Sequence, residues 1–242
     1  QKLKLINTIE ENINLFRAYG IDHLLLLSFD KTFSRISSLS YIRDFLLKKI
    51  GLSDLVIGYN HHFGRNREGS IDNLKEYAGL YGFNIHQVSP YVLDDKSVSS
   101  TKIRDAINKG SIELANNYLG YKFKLTAQVV RGNGLGRTIG FPTANLKIEN
   151  INKIIPINGV YAVNVLHNNT YFKGMLNIGI KPTFGNHTLS IEVHIFDFDE
   201  DIYNHSITVE FIKKIRNEKR FSSIDDLKEQ LLLDKITVLN IL

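Results

Sequence analysis

The first half of the chain alternates between two hydrophobic rhythms. Between residues 3 and 18, Leu3, Ile6, Ile9, Ile13, Leu15 and Phe16 recur at spacings that gather them on one face of a helix. Gly20 follows, where a helix end favours left-handed backbone. The run His23-Leu24-Leu25-Leu26-Leu27-Ser28-Phe29 reads as a strand buried on both faces. Further helices are predicted over 40–50 and 70–82, and further strands over 54–58 and 84–88. Strands alternating with helices imply a parallel sheet with helical crossovers.

After Gly120 the rhythm changes. Strands are predicted over 124–131, 160–166, 170–178, 189–196 and 207–211, separated by Gly, Asn and Pro turns. Successive strands with no helix between them imply an antiparallel barrel or sandwich. A helix is predicted over 223–233, with Ser223 as its cap and Asp225 and Asp226 in its first turn, where the helix dipole favours acids. The change places a domain boundary near Leu119–Lys122, dividing the chain into 1–120 and 121–242. No internal repeat or low-complexity segment appears.

Composition narrows the class. The 242 residues are 43% hydrophobic and 23% charged, the balance of an ordinary globular protein. The longest apolar run is the four leucines 24–27, against about 20 residues for a membrane-spanning helix, so no membrane partner is expected. The opening residues lack the apolar core and cleavage site of a signal peptide. The absence of cysteine removes disulfide and thiolate chemistry and suits a cytoplasmic location. Thirty Lys and Arg against 25 Asp and Glu give a net charge of +5. The basic residues are scattered, and their densest cluster, Lys213–Arg220, is interrupted by Glu218. That favours phosphorylated ligands over nucleic acid. Nothing in the pattern sets an oligomeric state.

Candidate chemistry concentrates in the segment Arg131-Gly132-Asn133-Gly134-Leu135-Gly136-Arg137-Thr138-Ile139-Gly140-Phe141-Pro142-Thr143-Ala144-Asn145. Four glycines within nine residues let backbone N–H groups approach a phosphate, and Arg137 adds a charged donor. No Gly-Lys-Ser/Thr follows, so this is not a P-loop. Taken alone, the glycines are explained better by a flexible hairpin turn. Pro142 stiffens the chain before Thr143 and Asn145, neutral oxygen donors that suit a Mg²⁺ sharing its shell with phosphates and water. The alternative is that both side chains bond their own turn. In Ser190-Ile191-Glu192-Val193-His194-Ile195, alternation puts Ile191, Val193 and Ile195 on one face and Glu192 with His194 on the other. Residue types alone read Glu192 as a solvated glutamate. Farther upstream, Ser99, Ser100 and Thr101 precede a predicted helix with Arg104 in its first turns, which is either plain capping or a phosphate site. The neighbouring His61 and His62 have no nearby cysteine and are not spaced to chelate one ion.

The segment Gly134–Leu146 resembles the riboflavin kinase signature along its whole length. Further blocks follow in order: Gly159-Val160-Tyr161-Ala162, Asn177-Ile178-Gly179, Pro182-Thr183-Phe184-Gly185, Ile191-Glu192-Val193-His194 and Ile215–Phe221. The resemblance implies a small closed β-barrel that phosphorylates riboflavin to FMN with ATP and Mg²⁺. It implies that Gly132, Gly134, Gly136 and Arg137 belong to a flap over ATP, and that Thr143 and Asn145 lie at the metal. It makes Glu192 the general base toward the ribityl 5′-hydroxyl and brings Arg216 and Phe221 to the flavin. Phe221 reads equally as an apolar staple before the Ser223 cap.

Residues 1–120 resemble the later part of the FMN adenylyltransferase module of bacterial bifunctional enzymes, on Ile57–Gly69 and Val98–Arg104. This implies that Ser99, Ser100, Thr101 and Arg104 meet a nucleotide phosphate. The family pattern at Asn60-His61-His62 is commonly Asp-Phe-Arg, and the His-x-Gly-His segment of that class is absent. The first strand and helix of that module are expected before Gln1, in a parent protein that converts riboflavin to FMN and FMN to FAD. The expected fold is thus an incomplete α/β nucleotidyltransferase-like half with a parallel sheet, then an antiparallel riboflavin-kinase-like barrel with a C-terminal helix. The competing expectation is a non-catalytic flavin- or nucleotide-binding module.

Overall fold

The computed structural model describes residues 3–93, 96–183 and 186–242; Phe184 and Gly185 of the Pro182–Gly185 block lie outside the described residues. The chain falls into two compact units, Asp22–Val98 and Gln1–Ile21 with Ser99–Leu242.

The chain opens with α1 (Ile9–Ala18). Its start is set by a capping box: Glu11 N–H donates to Thr8 Oγ1 (3.2 Å) and Thr8 N–H to Glu11 Oε2 (2.9 Å). The predicted helix from residue 3 therefore begins later, and Leu5 instead forms a β-bridge with Lys153.

In the smaller unit, α2 (Ser38–Ser40) runs into a π-helical segment over Tyr41–Ile50. Strand β1 (Asp54–Gly58) pairs in parallel with β2 (Asn84–Val88), with α3 (Ile71–Tyr81) between them in the chain. Two-residue strands β3 (Val92–Leu93) and β4 (Lys96–Ser97) form a separate hairpin. Ile42, Ile57, Phe63, Leu74 and Phe83 make the core. Residues 23–29 correct the prediction, because they form no strand and Leu25 is 59% exposed. A doubly buried strand exists only between sheet neighbours. Among the described residues β1 pairs with β2 alone, so the four leucines have no ladder partner.

In the larger unit, α4 (Ser100–Lys109) and α5 (Ile112–Leu119) lead into β5 (Lys124–Val130). The buried Asn116 carboxamide fixes α5 to the strands, accepting from Phe123 N–H (2.8 Å) and donating to Phe211 O (2.9 Å). A single helical turn, α6 (Leu135–Thr138), separates β5 from β6 (Ala144–Lys147). Then come β7 (Gly159–His167), β8 (Thr170–Thr183), β9 (Asn186–Ile195) and β10 (Ser206–Arg216). The strands close into an antiparallel barrel in the order β10-β5-β6-β9-β8-β7. Leu125, Val163, Leu176, Val193 and Val209 fill its interior. Helix α7 (Ile224–Ile241) starts at the Ser223 cap as predicted and runs past residue 233; its Val238 packs with Ile139, Phe141, Met175 and Phe196. Buried Lys153 ties α1 to this unit through Glu11 and the Ile6 carbonyl (2.6 Å).

Candidate active site

The antiparallel register of β6, β9 and β8 sets three polar side chains in one row. Asn145 stands opposite Glu192, and Glu192 opposite Asn177. All three line one cavity of about 320 Å³. Ile191 and Val193 alternate with Glu192 and are buried. The opposite face of β9 is roofed by the glycine-rich segment and by Leu227 and Leu231 of α7. Glu192 is therefore half-buried inside a cavity rather than solvated.

The turn ahead of β6 supplies the contacts to Glu192. Thr143 Oγ1–H donates to Glu192 Oε2 (3.2 Å), and Ser190 Oγ–H donates to Oε1 (2.9 Å). His194 Nδ1–H donates to the Pro142 carbonyl (2.7 Å). Burial pushes the His194 imidazole below its usual pKa range, with the Pro142 carbonyl opposing the shift. Phe141 and Phe196 stand edge-on to the ring at 5.3 and 5.5 Å.

The glycine-rich segment folds back onto this turn, with Phe141 N–H donating to Gly136 O (2.8 Å). A Cβ on Gly136 would lie 2.2 Å from Phe141 O, and one on Gly132 would lie 2.1 Å from Asn145 Nδ2. Only glycine permits those approaches. Gly134 and Gly136 line the cavity, whereas Gly132 lies against the Asn145 carboxamide.

The far end of the cavity is apolar, with Met175, Phe221, Leu227 and Leu231. Arg216 closes that end with its charge neutralised. Its guanidinium makes a two-pronged pair with Asp234 (2.9 and 2.7 Å) and sits 6.0 Å from the Phe221 ring centre. Gln230 donates to the same carboxylate (3.0 Å). Asp234 carried no sequence signal, being one of four acids in a mixed helix.

A second cavity, of about 380 Å³, opens beyond the same turn. Arg137, Pro142, Phe198, Ile202 and Tyr203 line it, and Thr143 lines both cavities. The run Phe198–Tyr203, which mixes aromatics with three acids, was the overlooked signal.

Neither cavity includes Ser99, Ser100, Thr101 or Arg104. Ser99 caps α4 by accepting from Lys102 N–H (3.4 Å), Ser100 and Thr101 form the first turn, and Arg104 Nε–H donates to Lys4 O (2.7 Å). The His61 ring stacks on Phe63 at 6.3 Å. Among the described residues no trio of His, Asp or Glu assembles as a metal cluster. Thr143, Asn145 and Glu192 instead gather hard oxygen donors, the set that fits Mg²⁺.

A riboflavin kinase family model matches residues 119–242, and an FAD synthetase family model matches residues 1–102. The chain is 39% identical over 237 residues to the bifunctional riboflavin kinase/FMN adenylyltransferase of Buchnera aphidicola subsp. Schizaphis graminum, covering 96% of this chain and 75% of that one. It is 36% identical over 233 residues to the protein of that name in Escherichia coli strain K12, covering 96% and 74%. A solved structure from Streptococcus pneumoniae, described as a macrolide-efflux protein, superposes with a TM-score of 0.88 at 31% identity, covering 97% of this chain and 75% of that one. Among the described residues of the present chain, no helix is long and apolar enough to cross a membrane.

Proposed function

This chain belongs to the bifunctional riboflavin kinase/FMN adenylyltransferase family, and from that membership we propose that residues 121–242 transfer the terminal phosphate of ATP to the ribityl 5′-hydroxyl of riboflavin. The observation that carries this reading is Thr143, which touches both cavities and bonds Glu192.

A flavin needs an apolar slot with a polar end. The 320 Å³ cavity offers Met175, Phe221, Leu227 and Leu231 for the ring, and Asn145, Asn177 and Glu192 for the ribityl chain. Arg216 presents a guanidinium plane already neutralised by Asp234, suited to cover a ring rather than to capture an anion. The 380 Å³ cavity takes the nucleotide, with Phe198 and Tyr203 for the base and Arg137 for phosphate oxygens. The segment Gly132–Gly136 covers the phosphates where the two cavities meet.

In this reading Glu192 is the general base. It takes the proton of the 5′-hydroxyl as the oxygen–phosphorus bond forms and the bond to the departing ADP breaks. Thr143 and Asn145 would hold the Mg²⁺. Bound there, the ion supplies charge neutralisation for the phosphates. The hydroxyls of Thr143 and Ser190 orient the carboxylate until the substrate arrives.

Residues 1–120 are assigned to the FMN adenylyltransferase activity, which forms FAD. There the capped start of α4, with Ser99, Ser100, Thr101 and Arg104, is the candidate phosphate contact. The chain has no cysteine, in keeping with work in the cytoplasm. Chromatography of a mixture of protein, riboflavin, ATP and Mg²⁺ tests the kinase reading directly. New FMN with equimolar ADP is expected, and flavin bound without turnover would favour the binding module.

A further inference from the structure

We propose that His194 is a positioning residue for phosphoryl transfer, holding the Thr143 hydroxyl in place through the backbone carbonyl of Pro142. The inference rests on the kinase reading and adds to it a residue with no part in proton transfer.

Thr143 lies just outside β6, whose register with β9 begins at Ala144↔Val193. The ladder therefore stops one residue short of the hydroxyl that reaches Glu192. Pro142 has no N–H, so its carbonyl is its one backbone hydrogen-bonding group. That carbonyl is taken by His194 Nδ1 at 2.7 Å, across 52 residues of sequence. A carbonyl only accepts, so the proton sits on Nδ1.

The ring itself is enclosed. It is 8% exposed and stands between the edges of Phe141 and Phe196, and Lys235 of α7 covers Phe196 at 5.2 Å. His194 and Glu192 also lie two residues apart on one face of β9. The contacts thus close a small circuit. His194 holds Pro142, Pro142 precedes Thr143, Thr143 bonds Glu192, and Glu192 returns along β9 to His194. An outer partner that orients a metal ligand typically contributes about 10–100-fold in metal affinity or activity, and Thr143 is the proposed ligand.

The test separates the hydrogen bond from the volume of the ring. His194→Asn keeps an N–H close to the position of Nδ1, whereas His194→Phe fills the space without a donor. FMN formation is measured with saturating riboflavin and ATP over a Mg²⁺ titration, and riboflavin affinity is read separately from flavin fluorescence. We expect His194→Phe to lose about 10–100-fold in kcat and to need more Mg²⁺. His194→Asn should recover most of that turnover. Wild-type turnover in His194→Phe, or equal losses in both variants, overturns the proposal. The ¹⁵N shifts of His194 in the unaltered protein give a check independent of variant folding: an Nδ1–H tautomer is expected, and Nε2–H contradicts the bond to Pro142. If the unaltered protein forms no FMN, the kinase reading fails first, whatever the variants do.

Discussion

Asn145 of β6 stands directly opposite Glu192 of β9, so the proposed metal-holding carboxamide and the proposed base are fixed by one antiparallel register. A slip of one residue would send both to the other face of their strands. The barrel builds this juxtaposition from residues distant in sequence, and the glycine-rich segment completes it by leaning on Asn145.

Gly132→Ala tests that last contact. The added methyl would meet the Asn145 carboxamide at 2.1 Å, so Asn145 has to turn away from the row. The expected outcome is a Mg²⁺ requirement shifted to higher concentration and a kcat reduced about 10–100-fold.

In the proposed reading, Asp234 acts on the flavin end of the cavity through Arg216. Asp234→Ala leaves a largely buried guanidinium without its partner, and breaking such a pair costs about 3–5 kcal/mol. Chemical denaturation should register that loss of stability. Steady-state kinetics should show a raised KM for riboflavin with KM for ATP little changed, because Asp234 touches only the wall of the flavin cavity.

Tyr203 and Phe198 line the other cavity. Replacing an aromatic that stacks on a base costs about 1–3 kcal/mol. Tyr203→Ala is therefore expected to raise KM for ATP about tenfold or more, with riboflavin binding intact. Equal effects on both substrates would contradict the division of the two cavities.

Lys153 offers a test by stability and by pH. Its ammonium is buried against Glu11, and burial pushes its pKa below 10.5. The unfolded chain therefore binds more protons than the folded one between that lowered value and 10.5, and this group's contribution to stability rises with pH across that window. The rise should vanish in Lys153→Met. That variant leaves Glu11 buried and unpaired and should lose about 3–5 kcal/mol, part of which Glu11→Gln restores in the double variant.

Much of the barrel was legible because its strands follow one another across Gly, Asn and Pro turns with no long helix between them, and β5 and residues 190–195 alternate apolar and polar positions. The same alternation put Glu192 and His194 on one face, which the structure bears out as the cavity face. Strand β6 escaped notice because it is four residues long and follows directly on the Pro142 turn. The four leucines at 24–27 misled for a different reason. Their pattern is that of a buried strand, but burial depends on neighbours that no local pattern reports. The predicted helix stops at residue 233, whereas α7 runs on to Ile241. Asp234 is buried against Arg216, a partner 18 residues earlier. The second cavity was invisible for the same reason, since barrel closure alone brings Arg137 to the loop at Phe198–Tyr203.

The central claim is that Glu192 takes the proton of the riboflavin 5′-hydroxyl. It is tested most directly by single-turnover FMN formation in the unaltered protein and in Glu192→Gln, at saturating ATP and Mg²⁺. Gln keeps the size of the side chain and accepts from Thr143 but is a far weaker base. The account predicts a rate lowered about 10²–10⁴-fold with riboflavin and ATP still bound. A rate within a few-fold of the unaltered protein would contradict it.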